Sequence, residues 1–333
     1  DDDDAAVAAR EETAAACYAA LGRLSLAQSQ CADARPVSRV RSSPVAGLVA
    51  TGGWSGGLCI WDAARCEKVC AAPKAHADRV TGLAWAPSSL VVATAGADAT
   101  AALWDANPES ASPGRELVRL RGHRARLGNV AFHPRGAHVA TTSFDHTWRL
   151  WDVETGSEVL LQDGHAKETY SVGFQGDGSL VATGDFAGIV HVWDCRSGKM
   201  IQTFLGHGGK VLALDWNPDG FHIATGSDDH TVRVWDLRRK VEAYVLPAHS
   251  ALVSDVRWSP RSGEALATAA FDGRVKIWRA RDWSPLADLA AHDGKAMAVD
   301  FGPQMDETSL VTSGYDRTFK LWQPADEALA GYL

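Results

Sequence analysis

Seven tryptophans, Trp61, Trp104, Trp151, Trp193, Trp235, Trp278 and Trp322, punctuate this chain at intervals of 43, 47, 42, 42, 43 and 44 residues. A period of that length held seven times admits few architectures, because each unit is one supersecondary structure that buries its apolar faces only against its neighbours. The most regular unit runs from Gly206 to Asp236 and reads GHGGKVLALDWNPDGFHIATGSDDHTVRVWD. Apolar residues alternate over 211–216, Asn217-Pro218-Asp219-Gly220 is a turn, and two more strands are expected around 223–226 and 231–235. A length of 333 residues would ordinarily suggest two domains, but seven such units use about 300 of them in one ring.

A polar signature travels with the period. A histidine, usually after glycine, stands 28 residues ahead of the tryptophan in four units (His76, His123, His165, His207), and His249 and His292 keep the relation with one and two inserted residues. An acid stands six residues ahead of it in five units: Asp98, Asp145, Asp229, Asp272 and Asp316. On these residues the chain resembles the WD-repeat proteins, and the resemblance implies an all-β fold, a seven-bladed WD-repeat β-propeller. In the unit of His207, Asp229 on a tight turn can accept from the imidazole, which can connect through Ser227 or Thr225 to the indole N–H of Trp235. One such bond contributes about 0.5–1.5 kcal/mol net, whereas burying ~200 Å² of indole contributes roughly 5 kcal/mol before entropy. The sets His76/Asp98/Trp104, His123/Asp145/Trp151, His207/Asp229/Trp235, His249/Asp272/Trp278 and His292/Asp316/Trp322 are therefore structural joints.

Two units depart from the pattern. In the first, Asp33 occupies the histidine slot and Ser55 the acid slot, so no tetrad is expected there. In the fourth, Ala187 replaces the acid, and His165 is expected to lose that partner. The first departure also creates the string Gly53-Trp54-Ser55-Gly56-Gly57, which matches a nucleophile elbow. An elbow needs a strand-to-helix turn with a base and an acid at hand, and Ser55 falls instead on a strand-to-strand turn. With the repeat histidines and acids assigned to the fold, no catalytic set remains and no enzyme is expected.

The six cysteines at 17, 31, 59, 66, 70 and 195 lack paired spacing, and Cys66 and Cys70 have no second pair, so structural thiols in a reducing compartment are expected, without metal or cofactor. A net charge of −8 and a pI near 5.8 disfavour nucleic-acid binding through bulk charge, leaving a local basic patch open. No run of 18 apolar residues suggests a membrane span. The chain opens on Asp1 and not on methionine, as expected of part of a longer protein.

Three regions are expected. Residues 1–22 place four aspartates before an alanine-rich run that ends at Gly22, a helix packed on the flank of the disc. Residues 23–323 form the propeller. The last unit supplies only three strands, about 296–301, 308–313 and 318–322, and would leave an edge open, so 23–30 is expected to be its fourth. Residues 324–333 are a tail. The longest interval comes from the connection 106–115, read as a solvated excursion.

Recognition is expected at the tips of the second-to-third strand turns, which are Trp54, Ala97, Phe144, Phe186, Asp228, Phe271 and Tyr315. Turns ordinarily offer Asp, Ser, Asn or Gly there, and five aromatic residues round an opening have the composition of a contact surface. Three residues after the histidines come Arg79, Arg126, Glu168, Lys210, Leu252 and Lys295, four of the six basic, and Arg35 adds a charge near the first unit. Such a face suits an extended acidic or apolar peptide, or an RNA backbone with stacked bases. The competing expectation is that the rings pack inward on one another and the bases are only solvated.

A closer resemblance lies in particular segments. VATGGWSGGLCIWD (49–62), FDHTWRLWD (144–152), GFHIATGSDDHTVRVWDLRR (220–239), WSPLADLAAHDGKAM (283–297) and YDRTFKLW (315–322) are similar to the Prp4-type WD-repeat subunit of the U4/U6 small nuclear ribonucleoprotein. The irregular fourth unit and the Asp-x-Arg-Pro opening at 33–36 fit as well. The resemblance implies a nuclear, non-catalytic scaffold in pre-mRNA splicing. Its partners would be splicing proteins of the U4/U6 and U5 particles, with U4/U6 small nuclear RNA contacted directly or through them, in a large hetero-complex and not a homo-oligomer. In that family, segments upstream of the propeller bind further partners; no counterpart is present in this sequence. The consecutive strings Trp193-Asp194-Cys195-Arg196 and Trp235-Asp236-Leu237-Arg238 resemble instead substrate receptors of cullin-based ubiquitin ligases.

Overall fold

The structure, a computed structural model, describes residues 14–325. Within them the seven repeats form seven four-stranded antiparallel sheets. Blade 1 runs from Val37–Ser42 to Glu67–Ala72, blade 2 from Val80–Trp85 to Glu116–Arg121, and blade 3 from Leu127–Phe132 to Glu158–Asp163. Blade 4 spans Thr169–Phe174 to Met200–Leu205, blade 5 Val211–Trp216 to Val241–Leu246, and blade 6 Val253–Trp258 to Pro285–Ala290. The first strand of every blade touches the first strand of the next, and that of blade 7, Ala296–Gly302, returns to blade 1. The blades therefore close on one another round a central channel.

Burial explains the residues chosen. The second strands are packed on both faces by neighbouring blades and are buried almost throughout, which is why they read as small apolar runs such as Val91–Gly96 and Ala265–Ala270. Apolar clusters span pairs of blades, as where Leu58 and Ile60 of blade 1 pack with Leu83 and Trp85 of blade 2. Gly52 permits that approach: a Cβ there would lie 2.6 Å from Val80 Cγ1. The outer strands are half-exposed, with Val159, Ile201 and Val241 facing water.

Closure follows the sequence expectation. Leu24–Cys31 pairs antiparallel with Thr318–Pro324, from Leu24 opposite Pro324 to Cys31 opposite Thr318, with a bulge between Leu26 and Gln28, and so completes blade 7. A helix over 14–21 precedes it, and its Leu21 is fully buried against Ala265, Val275 and Ile277 of blade 6. The rest of the expected helix, 1–13, lies outside the described residues. The last strand extends to Pro324, one residue into the stretch read as a tail, and 326–333 also lie outside.

A second closure lies in the channel, where blades 1, 5, 6 and 7 contribute three arginines and three aspartates. Arg41 donates to both carboxylate oxygens of Asp255 and to the carbonyl of Val299. Arg39 Nη1 lies 4.0 Å from Asp255, Arg257 bridges Asp215 and Asp300, and Asp300 also accepts from the Ser42 N–H. Each aspartate thus has an arginine partner, with Arg39, Arg41 and Asp255 buried and Arg257, Asp215 and Asp300 partly exposed.

Candidate recognition face at the channel mouth

The mouth is shaped by the joints beneath it. In blade 5 His207 Nδ1 lies 2.8 Å from Asp229 Oδ2, its Nε2 lies 2.8 Å from Thr225 Oγ1, and Trp235 Nε1 donates to the same oxygen at 2.8 Å. With Nδ1–H given to the carboxylate, Nε2 accepts from the threonine hydroxyl. The hydroxyl is thus Thr225, while Ser227 receives the Asp229 N–H. Equivalent triples join His76, Asp98, Thr94 and Trp104, and His123, Asp145, Thr141 and Trp151. Blades 6 and 7 repeat them with His249, Asp272, Thr268 and Trp278, and with His292, Asp316, Thr312 and Trp322. Each acid also accepts backbone N–H groups of its turn and of the histidine loop, as Asp229 does from Thr231 and Gly208. Burial alone would raise these carboxyls, but the imidazole and turn hydrogen bonds hold Asp98, Asp145, Asp229 and Asp316 well below the ordinary carboxylate range. The two loops that carry the rim are therefore fastened to each other.

Blade 4 corrects one expectation. His165 keeps an acid: its Nδ1 lies 3.0 Å from Asp185 Oδ2 and its Nε2 2.7 Å from Thr183 Oγ1, with Trp193 completing the tetrad. Asp185 sits at the end of the second strand, two residues before Ala187, where blades 2 and 7 have Gly96 and Gly314 packed directly on the imidazole. Its other oxygen accepts from the Ala187 and Ile189 N–H groups, so one fully buried carboxylate performs both duties of the missing turn acid. Blade 4 also carries a second buried imidazole, His191, 4.5 Å from His165 between ring centroids. Blade 1 behaves as expected: Asp33 Oδ2 accepts from the Ser55 hydroxyl at 2.6 Å, and Trp61 still donates to Thr51, without an imidazole between them.

Five of the turn tips line or border the mouth as rings, and the basic residues lie on them. Trp54, Phe144, Phe186 and Phe271 line an opening of about 300 Å³ together with Arg79, Arg126 and Lys210. Arg126 lies 3.8 Å over Phe144, Lys210 4.8 Å over Phe186 and Arg79 5.5 Å over Trp54. Lys295 spans Phe271 at 4.5 Å and Tyr315 at 5.8 Å. Three of the pairs cross blade boundaries, Arg79 of blade 2 over the blade 1 tip, Lys210 of blade 5 over the blade 4 tip and Lys295 of blade 7 over the blade 6 tip, whereas Arg126 covers the tip of its own blade 3. The rings also meet each other, Phe144 with Phe186 at 5.1 Å and Trp54 with Tyr315 at 5.7 Å. The rings thus pack along the rim and not across the opening, and the cations cap them.

Arg35 does not join this set; its backbone N–H caps Asp33 on the exposed loop of blade 1. Sequence reasoning missed Tyr170, which lines the mouth and packs 5.6 Å from Phe186. It occupies a first-strand position that holds Ser38, Thr81, Gly128, Leu212, Ser254 and Met297 in the other blades, so the period gives no signal there. Among the described residues no group of His, Cys, Asp and Glu could hold a metal ion, and no helix is long and apolar enough to cross a membrane. The cysteines Cys17, Cys59, Cys66, Cys70 and Cys195 are unpaired, and burial raises each thiol, which disfavours the thiolate.

The WD domain, G-beta repeat family model matches seven consecutive segments, 27–62, 66–105, 114–152, 156–194, 198–236, 240–279 and 283–323. Three curated proteins share shorter stretches. A U4/U6 small nuclear ribonucleoprotein PRP4-like protein of Arabidopsis thaliana is 41% identical over 63 residues, 19% of this chain and 11% of that protein. An uncharacterized WD repeat-containing protein of Schizosaccharomyces pombe is 41% identical over 116 residues, 32% of this chain and 24% of that protein. A ribosome biogenesis protein WDR12 homolog of Chlamydomonas reinhardtii is 34% identical over 58 residues, 17% of this chain and 13% of that protein. The matched stretches thus span less than a quarter of each relative's length.

Proposed function

Because this chain belongs to the WD-repeat family, with its seven matched segments folded as seven blades, we propose that it acts as a non-catalytic interaction scaffold in pre-mRNA splicing, within the U4/U6 particle and its U4/U6·U5 assembly in the nucleus. The observation that carries a recognition role is the mouth, where four cations are held over five rings at the rim of a concave opening. Rings and cations so arranged suit an anionic partner strand, because each base gains little from solvent and keeps its outward N–H groups free to donate. The splicing assignment rests on the segments similar to the U4/U6 subunit and on the 41% identity with the PRP4-like protein. The polar residues that could suggest chemistry are engaged in joints, and Ser55 is bonded to Asp33 with no histidine beside it.

The test is affinity purification of the tagged chain from nuclear extract. Recovery of U4 and U6 RNAs with splicing proteins is the expected outcome. Recovery of pre-ribosomal particles, or of a cullin adaptor, without small nuclear RNA would overturn the splicing assignment while leaving the scaffold role in place.

A further inference from the structure

Arg39, on the first strand of blade 1, is 3% exposed and yet lines the opening at the mouth, beneath the cations of the rim. Its Nε donates to the Thr81 carbonyl at 2.8 Å, which holds the side chain across the boundary with blade 2. Its two Nη atoms donate to no acceptor among the described residues. The Asp255 carboxylate comes within 4.0 Å of Nη1, but it is already engaged: Oδ1 accepts from Arg41 Nη2 and the Val256 N–H, and Oδ2 from Arg41 Nη1 and the Val299 N–H. The unpartnered Nε groups of Arg41, Arg149 and Arg233 are sealed from solvent, whereas the Arg39 Nη atoms stay open to the cavity.

The surroundings narrow what those donors can meet. The neighbouring hydroxyls of Ser38, Thr81 and Ser254 give their protons to backbone carbonyls, so the guanidinium is left to donate at depth. Arg39, Arg79, Arg126 and Lys210 set four cations against one acid, Asp228, among the described residues that line the opening, in a chain whose net charge is −8. That local excess favours an anion. The faces of Phe144, Phe186 and Trp54 already carry cations, so a base stacking on one of them would displace the group that should hold its phosphate. At about 300 Å³ the opening is also at the small end of ligand pockets, and Leu127, Leu212, Leu252 and Met297 make much of its wall apolar. A phosphodiester brings a sugar on either side of its charge, whereas a glutamate carries its charge on a slim aliphatic stem.

We propose that the mouth takes an acidic peptide segment of a protein partner, one carboxylate side chain of which enters the opening and accepts from the Nη groups of Arg39. The proposal rests on the reading of the mouth as the recognition face and names what that face holds. An ionised carboxylate is an acceptor with two oxygens, which matches two free N–H-bearing nitrogens of one planar guanidinium. The rim cations guide the segment in, and its flanking apolar side chains lie on Leu127, Leu212 and Leu252. Small nuclear RNA is then reached through the protein partner and not by the mouth itself.

Indole NMR on protein labelled at its 13 tryptophans tests this, with Trp54→Phe assigning the signal that reports the mouth. Titration with acetyl-Leu-Glu-Leu-amide should move the Trp54 signal to saturation, and acetyl-Leu-Gln-Leu-amide should bind at least about tenfold more weakly. Arg39→Gln should weaken the glutamate peptide by a similar factor, leave the glutamine peptide unchanged and keep the other tryptophan signals in place, and Arg39→Lys should restore part of the loss. Equal binding of the two peptides by the unaltered protein overturns the proposal, and so does a glutamate titration that Arg39→Gln does not change. Hexauridylate that moves Trp54 where the peptide does not, and fails to do so after Arg79→Glu with Lys210→Glu, overturns the carboxylate assignment while keeping the mouth as the recognition face. A Trp54 signal moved by neither ligand removes both.

Discussion

Arg41 of blade 1 and Asp255 of blade 6 form a two-pronged ion pair across the channel, Nη1–Oδ2 at 2.7 Å and Nη2–Oδ1 at 3.1 Å, although blade 7 stands between their blades. The pair ties together the two neighbours of the blade that the N-terminal strand completes. Its stability role differs from that of a surface ion pair, because both side chains are 5% exposed. Arg41→Ala removes the only guanidinium hydrogen-bonded to a buried carboxylate, leaving Arg39 and Arg257 near it without a hydrogen bond, and should cost about 3–5 kcal/mol in denaturant unfolding. Arg41→Met with Asp255→Leu should cost much less, since neither charge is then stranded. Equal losses in the two variants would remove the assignment.

Asp185 carries two duties that other blades divide between positions, and its loss should be felt in both. Asp185→Ala should destabilise by about 2–4 kcal/mol, because His165 Nδ1 and two turn N–H groups lose their acceptor at once. Adding Ala187→Asp restores the acid at the position used in blade 5 and should recover part of the loss. A double variant no more stable than the single one would show that the turn cannot adopt the regular arrangement.

Acid should loosen blade 4 before the other joints. Burial first, and then the neighbouring His165, lowers His191 from 6.5 to about 4. The unfolded chain therefore binds the proton first as pH falls, so the contribution is complete above pH 6.5 and is lost between there and about 4. The loss should reach up to about 3 kcal/mol, and burial lowers His249 in the same direction. The depressed turn carboxylates act in the opposite range, keeping their charge until more acid conditions. Denaturant midpoints measured across this window should fall with pH, and His191→Gln should flatten the slope. An unchanged slope in that variant would place the sensitivity elsewhere.

At the mouth, Arg79→Glu with Lys210→Glu should abolish recovery of U4 and U6 RNAs while changing stability by less than about 1 kcal/mol, since these side chains are capping contacts over rim rings. Phe144→Ala is a poorer probe, because the ring also packs on Phe186 and Tyr170 and its loss should cost about 1 kcal/mol or more. Normal recovery by the charge-reversed protein would move the partner surface away from the mouth.

Most of the fold was legible because the period and the tetrad residues are local and repeat. The spacing of His207, Asp229 and Trp235 already implied their joint, while the connecting hydroxyl, left between Ser227 and Thr225, is that of Thr225. Asp185 was not legible because its shift from position 187 keeps the side chain at the imidazole through a different backbone site, which spacing alone reads as a loss. The channel charges escaped for a different reason. Arg41 and Asp255 are 214 residues apart, and neither occupies a position that is charged in every repeat. The pairing of cations with rings across blade boundaries likewise depends on which blades adjoin and on side-chain reach, neither of which a single repeat contains.

The pairing of Leu24–Cys31 with Thr318–Pro324 makes one sheet out of the first and the last of the described strands. The first of the two must wait, its hydrogen-bonding edge unsatisfied, until the six intervening blades and the last strand of blade 7 have been synthesised. Its exposed Ser25, Ser29 and Gln30 suit a segment that has to stay soluble through that interval. Completion of the disc thus waits for the strand Thr318–Pro324, and a recognition surface that depends on all seven blades forms only once that strand has been made.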